Sequence, residues 1–302
     1  MAQAADPTRD GTLQFELGDG EIAETWFRIT GDLQAGGAPV VLLHGGPGAT
    51  HDYLLSMTDL ASNRAVVHYD QLGNGRSRHY PERGADFWTV DLFVRELHSL
   101  VSALGIADRH HVLGQSWGGW LSIEYMTRGA TGIERLVLAS TSASIPEFMA
   151  GARGLIEQLP EPHRSVLIER GDRGEYDHPD YLAAVDVFYH RHLCRMEPWP
   201  EALVLSGEQM DGNQVYLTMN GPTEFDVIGL LREWDRTADL GRIRVPTLVT
   251  CGRYDEITPS CSETITRGIP DARMHVFEES AHCAHLEEAD DYARIVEAFL
   301  SE

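Results

Sequence analysis

A serine flanked by glycines, in the sequence GQSWG at residues 114–118, is the residue whose setting most strongly suggests chemistry. The G-x-S-x-G pattern places Ser116 on a sharp turn between a strand and a helix, where its hydroxyl is open to substrate. The residues around it fit, because an apolar strand is predicted over 111–113 and a helix over 118–126. The sequence therefore predicts a nucleophilic serine and, with it, a serine hydrolase.

A second glycine-rich segment, HGGPG at residues 44–48, could stabilise the negative charge that attack by the serine creates. An oxyanion hole needs two N–H groups about 3 Å from the developing charge. In this type of site one donor is the N–H of the residue after the nucleophile, here Trp117. The other donor comes from the loop after an early strand, and Gly46 is predicted to supply it. The Gly46–Pro47 bond is a candidate for the cis form. The alternative is a tight turn without a catalytic role.

The general base and its acidic partner are predicted from chain order. Serine is a weak nucleophile at neutral pH and needs an adjacent base, usually a histidine oriented by a carboxylate. In α/β-hydrolases the order is Ser, Asp or Glu, then His. Asp255 follows a predicted strand at 247–250, and His282 follows another at 274–277. We therefore predict the triad Ser116, Asp255 and His282.

Each member of this set has a structural alternative. Asp255 could be a turn residue, and His282 an ordinary loop histidine. His285 is a competing base, although it should lie one turn into the following segment and face elsewhere. The other histidines are predicted to be structural or surface groups.

The order of predicted elements indicates an α/β-hydrolase fold. Strands that alternate with helices form a mostly parallel sheet with helices on both faces. Strands are predicted at 39–43, 65–69, 111–113, 135–139, 247–250 and 274–277, helices at 89–104, 118–126 and 289–300, and a β-hairpin at 12–30. No buried strand is evident in the middle of the chain. We predict a core of residues 1–141 and 239–302 with a helical cap of residues 142–238.

Composition excludes several classes of partner. The chain has 302 residues and a net charge of −23, from 47 acidic and 24 basic residues. This balance argues against nucleic acid or an anionic membrane as a partner. The four cysteines lack zinc-site spacing, the N-terminal residues lack a signal-peptide apolar region, and no apolar run reaches about 18 residues. We predict a cytoplasmic protein with reduced thiols; the oligomeric state is not predicted.

No metal or organic cofactor is predicted. Asp70 and His68 lie close in the sequence and could suggest a metal site. A structural role for Asp70 in a turn at a strand end is the favoured interpretation.

Taken together, the motifs resemble the proline iminopeptidase family of α/β-hydrolases. They are HGGPG at 44–48 with HDY at 51–53, YDQLGNGRS at 69–77, GQSWGG at 114–119, NGPTEF at 220–225 and GRYDEITP at 252–259. The similarity is greatest to the branch of tricorn-associated aminopeptidases and bacterial L-amino-acid amidases. It implies release of an N-terminal residue, often proline, from a short peptide or amide. One departure is the segment 279–285, which lacks the glycine that many relatives have before the catalytic histidine.

The resemblance also implies a role for two glutamates. In the family, one glutamate of the cap and one beside the catalytic aspartate bind the α-ammonium group of the substrate, and the matching residues are Glu224 and Glu256. A buried ammonium needs paired carboxylates to offset its desolvation. The alternative for either residue is a solvated surface carboxylate. Aromatic candidates for a proline pocket are Phe148, Tyr189, Tyr216 and Phe225.

Two competing functions remain from the sequence. The same triad would serve an esterase or lactonase that acts on an uncharged metabolite, for which neither glutamate would be needed. A non-enzymatic binding protein on a hydrolase scaffold is the other, since fold does not fix function. Epoxide hydrolase and dehalogenase chemistry is disfavoured because those enzymes use an aspartate nucleophile.

Overall fold

An eight-stranded sheet in the order β1-β2-β4-β3-β5-β6-β7-β8 forms the centre of the protein. The structure is a computed structural model that describes residues 8–18 and 20–302. β2 runs antiparallel to β1 and β4, and all other neighbours are parallel. The strands are β1 (Thr8–Glu16), β2 (Ile22–Thr30), β3 (Val40–Leu43), β4 (Val66–Tyr69), β5 (His110–Gln115), β6 (Ile133–Ala139), β7 (Thr247–Gly252) and β8 (Ala272–Phe277).

Helices cover both faces of this sheet, as the alternating pattern predicts. The α-helices are α1 (Val90–Ala103), α2 (Trp117–Thr127), α3 (Ile145–Ile156), α4 (His163–Gly171), α5 (Pro179–His192), α6 (Glu201–Met210), α7 (Gln214–Met219), α8 (Pro259–Gly268), α9 (Ala284–Glu287) and α10 (Ala289–Leu300). Short 3-10 helices span Asp52–Ser62, Ala85–Phe87 and Thr237–Arg242. The predicted fold class is confirmed by this architecture.

The central strands are apolar on both faces because each face packs against helices. Every residue of β3 is fully buried. Val41 and Leu43 belong to one hydrophobic cluster, and Val40 and Leu42 to the other. Since successive side chains of a strand point to opposite faces, the sheet separates two cores. The carboxyl ends of the parallel strands are thereby fixed as a rigid edge for the loops that follow them.

Five helices, α3 to α7, are inserted between β6 and β7. The two ends of the insertion meet in an antiparallel bridge between Ser144 and Asp235. Two backbone hydrogen bonds flank the bridge, from Ile145 N to Trp234 O at 2.9 Å and from Arg236 N to Ala143 O at 2.8 Å. The insertion thus leaves and re-enters the core at one place. A helical insertion between two strands of the sheet is what the sequence predicts. The boundaries of the cap at residues 142 and 238 stay a prediction.

The inserted helices rest on the loop that follows β3. Thr50 N donates a hydrogen bond of 3.0 Å to Ser206 Oγ on α6.

Across residues 8–18 and 20–302, no helix has the length and apolar character needed to cross a membrane.

Candidate active site

Ser116 lies at the junction between β5 and α2, on the turn that the G-x-S-x-G pattern predicts. Its backbone has φ 56° and ψ −122°, a conformation that residues other than glycine rarely adopt. The two glycines of the pattern permit close packing around it. A Cβ on Gly114 would lie 2.1 Å from Gly118 O, and one on Gly118 would lie 2.0 Å from Leu43 O. A larger residue at Gly118 would push the turn away from β3, and one at Gly114 would push β5 away from α2.

Hydrogen bonds on both sides of Ser116 hold it in this conformation. Ser116 N donates to Ala139 O at 2.9 Å, and the Thr141 hydroxyl donates to Ser116 O at 2.8 Å. The same carbonyl accepts from Gly119 N at 2.8 Å. A strained backbone persists only where its surroundings fix it from several directions, as here.

Asp255 and His282 meet as a buried, hydrogen-bonded pair. His282 Nδ1 lies 2.7 Å from Asp255 Oδ1, and both residues are buried. Asp255 is in the loop after β7, and His282 in the loop after β8. Ile257 N donates to the same Asp255 oxygen at 2.9 Å. The carboxylate therefore orients the imidazole with Nδ1–H toward it and leaves Nε2 free to accept a proton.

A single carbonyl from the insertion joins these two loops. His192 O, at the end of α5, accepts hydrogen bonds from Glu256 N at 3.1 Å and from His282 N at 3.2 Å. The spacing between the acid loop and the histidine loop is thus set by the last residue of an inserted helix.

The charge around His282 favours its protonated form. Burial lowers the pKa of the imidazole, but the carboxylates of Asp255, Glu256 and Glu224 more than offset this and raise it to about 9. His282 would then be largely protonated at neutral pH when the cavity holds no other charge.

The loop after β3, which the sequence predicts to form part of an oxyanion hole, contains a tightly turned glycine. Gly46 has φ +107°, and a Cβ there would lie 2.3 Å from Gly48 N, so only glycine fits. The Gly46–Pro47 bond is cis. Among the described residues, neither Gly46 N–H nor Trp117 N–H has a hydrogen-bond acceptor. Both donors are therefore available to an added negative charge.

Gln71 links the two segments that carry these donors. Its side-chain NH₂ donates to His44 O at 3.0 Å, and its Oε1 accepts from Trp117 Nε1 at 2.8 Å. No sequence pattern marks Gln71 for this role, although it lies in the YDQLGNGRS motif at residues 69–77.

A cavity of about 310 Å³ opens in front of Ser116 and His282. Its wall is mainly apolar and comes from the loop after β3, α6, α7 and the segment after α7. The lining residues include Gly45, Gly46, Tyr53, Gln115, Ser116, Tyr189, Trp199, Leu203, Met210, Tyr216, Leu217, Glu224 and His282. Of the four aromatic candidates for a pocket, Tyr189 and Tyr216 line this cavity. Phe148 packs on Trp120, and Phe225 on Phe188, in the core.

Glu224 and Glu256 both lie close enough to His282 to interact with it electrostatically. Glu224 lines the cavity, accepts from the Tyr216 hydroxyl at 3.1 Å, and has its backbone N–H bonded to the Tyr189 hydroxyl at 3.0 Å. Glu256 is 1% exposed, is not among the lining residues, and its Oε2 has no hydrogen-bond partner among the described residues. Burial raises the pKa of both carboxyl groups, with that of Glu256 well above its usual range. Buried carboxyl groups of this kind take the ionised form when a positive charge lies beside them.

The remaining candidates take structural positions. His285 is buried in α9 with its ring 5.4 Å from that of Tyr53, and burial lowers its pKa to about 3. Asp70 uses both oxygens, since Oδ1 accepts from His51 N and His51 Nδ1, and Oδ2 accepts from Arg76 N. Within residues 8–18 and 20–302, no group of three or more His, Cys, Asp or Glu side chains could hold a metal ion.

Comparisons with known proteins agree with this fold. Residues 38–289 match the family model for the alpha/beta hydrolase fold. The proline iminopeptidase of Thermoplasma volcanium is 39% identical over 264 residues, which are 87% of this chain and 88% of that protein. The structure of a proline iminopeptidase from Mycobacterium smegmatis superposes with a TM-score of 0.88 at 41% identity, over 96% of this chain and 98% of the other.

The chain belongs to the proline iminopeptidase family of α/β-hydrolases. The structure of VinJ is also similar, with a TM-score of 0.92 at 44% identity over 97% of this chain and 98% of that one. Because these superpositions extend over nearly the whole chain, the family likeness includes the inserted helices as well as the sheet.

Proposed function

We propose that this protein is a serine aminopeptidase that releases an N-terminal residue, proline or a small apolar one, from short peptides or amino-acid amides. The observation that carries the proposal is that Glu224 lines the cavity with Ser116 and His282, and that the carboxyl groups of Glu224 and Glu256 both act on the His282 imidazole. An uncharged ester would give no compensation for burying these carboxylates.

The proposed reaction is acyl transfer through a serine ester. Ser116 Oγ attacks the scissile carbonyl while His282 Nε2 takes its proton, and Asp255 stabilises the imidazolium that forms. The N–H groups of Gly46 and Trp117 hold the oxyanion. His282 then gives the proton to the leaving amine, and the C–N bond breaks. Water, activated by His282, hydrolyses the ester and releases the amino acid.

Glu224 and Glu256 are proposed to bind the α-ammonium group of the substrate. In an N-terminal residue the amine nitrogen and the scissile carbonyl carbon are separated by a single Cα. An ammonium held by these carboxylates would therefore place the carbonyl close to Ser116, and such positioning accounts for a large share of rate enhancement. It also sets the register, so that only the first peptide bond is cleaved.

The names of the relatives support proline as the first residue. Several proteins 33–39% identical to this chain are called proline iminopeptidases. Tyr189 and Tyr216 flank Glu224 and offer aromatic surface next to the proposed amine site. We propose that the proline ring, or a small apolar side chain, packs there.

The test compares turnover of L-prolinamide with that of N-acetyl-L-prolinamide, with Ser116→Ala as the control. We expect cleavage of the free amine only, and its loss in Ser116→Ala. Cleavage of both amides, or of simple esters alone, would contradict the amine-binding assignment and favour an esterase or lactonase. Activity that survives in Ser116→Ala would rule out the serine mechanism.

A further inference from the structure

A chain of hydrogen bonds connects three separate parts of the active site. Gly45 N–H, in the loop that carries Gly46, donates to the Tyr53 hydroxyl at 2.7 Å. That hydroxyl donates to Gln115 Oε1 at 2.5 Å. Gln115 Nε2 donates to the carbonyl of His282 at 3.3 Å. The oxyanion loop, the nucleophile turn and the histidine loop are thus joined through side chains.

The direction of every hydrogen bond in this chain is fixed by its first member. A backbone N–H can only donate, so the Tyr53 oxygen accepts from Gly45 and uses its own proton for Gln115. Gln115 must then present its oxygen to Tyr53, and its NH₂ group is left facing the His282 carbonyl. A flipped amide would set two acceptors against each other at His282, so the chain has one arrangement.

Burial makes this arrangement rigid. Gln115 is 2% exposed and Tyr53 is 5% exposed. Burial also raises the pKa of the Tyr53 phenol well above its usual range, so the group keeps the proton that it donates. The Tyr53 ring packs against that of His285, with the two ring centroids 5.4 Å apart. In a site with little water, hydrogen bonds in series strengthen one another, and a missing partner is costly.

The packing around Gly45 shows how closely these parts fit. A Cβ built on Gly45 would lie 2.9 Å from Gln115 Oε1, 3.0 Å from Ser116 Cβ and 3.0 Å from the Tyr53 hydroxyl. The oxyanion loop therefore lies directly against the side chain of Gln115 and the nucleophile.

We propose that Gln115, acting with Tyr53, is a positioning residue that holds the oxyanion loop and the His282 loop in register with Ser116. It is neither nucleophile, base nor oxyanion donor, and it acts through the segments that carry them. Misplacement of reacting groups by about 1 Å can lower rates by about 100-fold. Since Ser116 follows Gln115 directly in the chain, a displacement of Gln115 also displaces Ser116. This inference rests on the proposed role of Ser116 as the nucleophile.

The test uses two variants and a matched control. Gln115→Leu removes both hydrogen bonds of the amide at similar volume, and Tyr53→Phe removes only the hydroxyl while its ring packing stays. The control is Thr127→Val on α2, which removes a buried hydroxyl bonded to Ile123 O at 2.8 Å, far along the helix from Ser116. For each protein we would measure Tm, kcat and KM for L-prolinamide, and the rate at which a fluorophosphonate labels Ser116.

We expect Gln115→Leu and Tyr53→Phe each to lower kcat and the labelling rate roughly 10- to 100-fold, with KM changed less than about threefold. The double variant should be no slower than the slower single one, since each change breaks the same chain. Thr127→Val should lower Tm without lowering kcat. If Gln115 and Tyr53 had only a structural role, the loss of kcat in each of the three variants would instead be in proportion to its decrease in Tm.

The outcomes separate this inference from the proposed function. Labelling of folded Gln115→Leu at the wild-type rate would overturn the inference alone. If Gln115→Leu does not fold, Tyr53→Phe decides the question, and wild-type labelling of Tyr53→Phe would overturn it equally. A wild-type protein that is labelled but does not cleave prolinamide would overturn only the substrate assignment, because labelling needs no amine. An unlabelled wild-type Ser116 would overturn both.

Discussion

The Tyr216 hydroxyl donates a hydrogen bond of 3.1 Å to Glu224 Oε1. The same tyrosine packs against Gly48 of the oxyanion loop, where an added Cβ would lie 2.7 Å from Tyr216 Cβ. Tyr216, which lies on the inserted helix α7, therefore contacts both Glu224, the proposed amine-binding residue, and the loop proposed to hold the oxyanion. A substrate whose amine and carbonyl are one carbon apart requires this closeness.

Glu224→Gln should reduce kcat/KM for L-prolinamide about 30-fold or more, because loss of one partner from a buried charge pair costs about 2–5 kcal/mol. Hydrolysis of p-nitrophenyl acetate, which has no amine, should change only a few-fold. Steady-state kinetics on both substrates would measure the difference. Glu233→Gln is the control, since that side chain is 79% exposed. Equal losses on the two substrates would contradict the amine-binding role.

The rate of ester hydrolysis should rise with pH through an apparent pKa of about 9 in the wild-type protein. Only neutral imidazole can accept the proton of Ser116, so a raised pKa moves the acid limb of the profile to higher pH. In the double variant Glu224→Gln, Glu256→Gln, two carboxylates that stabilise the imidazolium are gone, and the limb should move to lower pH. A pH profile of kcat/KM for p-nitrophenyl acetate measures this. An unchanged profile would show that the glutamates do not act on His282.

Gly46→Ala should lower kcat by about 100- to 1,000-fold, the effect of losing one oxyanion donor. The reason is steric, since the new Cβ would meet the backbone at Gly48. Gly105→Ala is the matched control, because Gly105 also has positive φ, at +68°, but has open space around it. It should lose only roughly 1–2 kcal/mol of stability and keep its kcat. Similar kcat values for the two variants would argue against a catalytic loop.

His282→Ala should lower kcat by at least about 10⁴-fold and abolish fluorophosphonate labelling. His285→Gln should instead lose roughly 1–3 kcal/mol of stability, since it replaces a buried ring, and should keep most of its activity. Kinetics and thermal unfolding of both variants would test the assignment. The reverse result would make His285 the base.

The sequence was most informative where chemistry restricts the choice of residue. β3, β4 and β7 were predictable because each is built around a short run of apolar residues without the spacing of an amphipathic helix, and all three are fully buried. The final helix was predicted at 289–300, and α10 spans Ala289–Leu300. Asp255 and His282 were found by their order after Ser116 and their places after strands, and the structure brings the two together.

Other features depend on contacts that no local pattern encodes. α8 was missed because only Cys261, Ser262 and Ile265 of its ten residues are buried, so its apolar face is narrow. The bond between Tyr53 and Gln115 joins residues 62 apart in the sequence. Neither side chain is distinctive by itself, and the two can pair only after folding has brought the end of β5 next to the 3-10 helix at Asp52–Ser62.

The carbonyl of His192 has a consequence for exchanging parts between relatives. Because it accepts from both Glu256 N and His282 N, the end of α5 completes the hydrogen bonding of two loops that belong to the sheet. The inserted helices are therefore not a detachable module that could be swapped to change substrate preference. A chimera would keep the Asp255 and His282 loops aligned only if the end of α5 were transferred together with these loops, which follow β7 and β8.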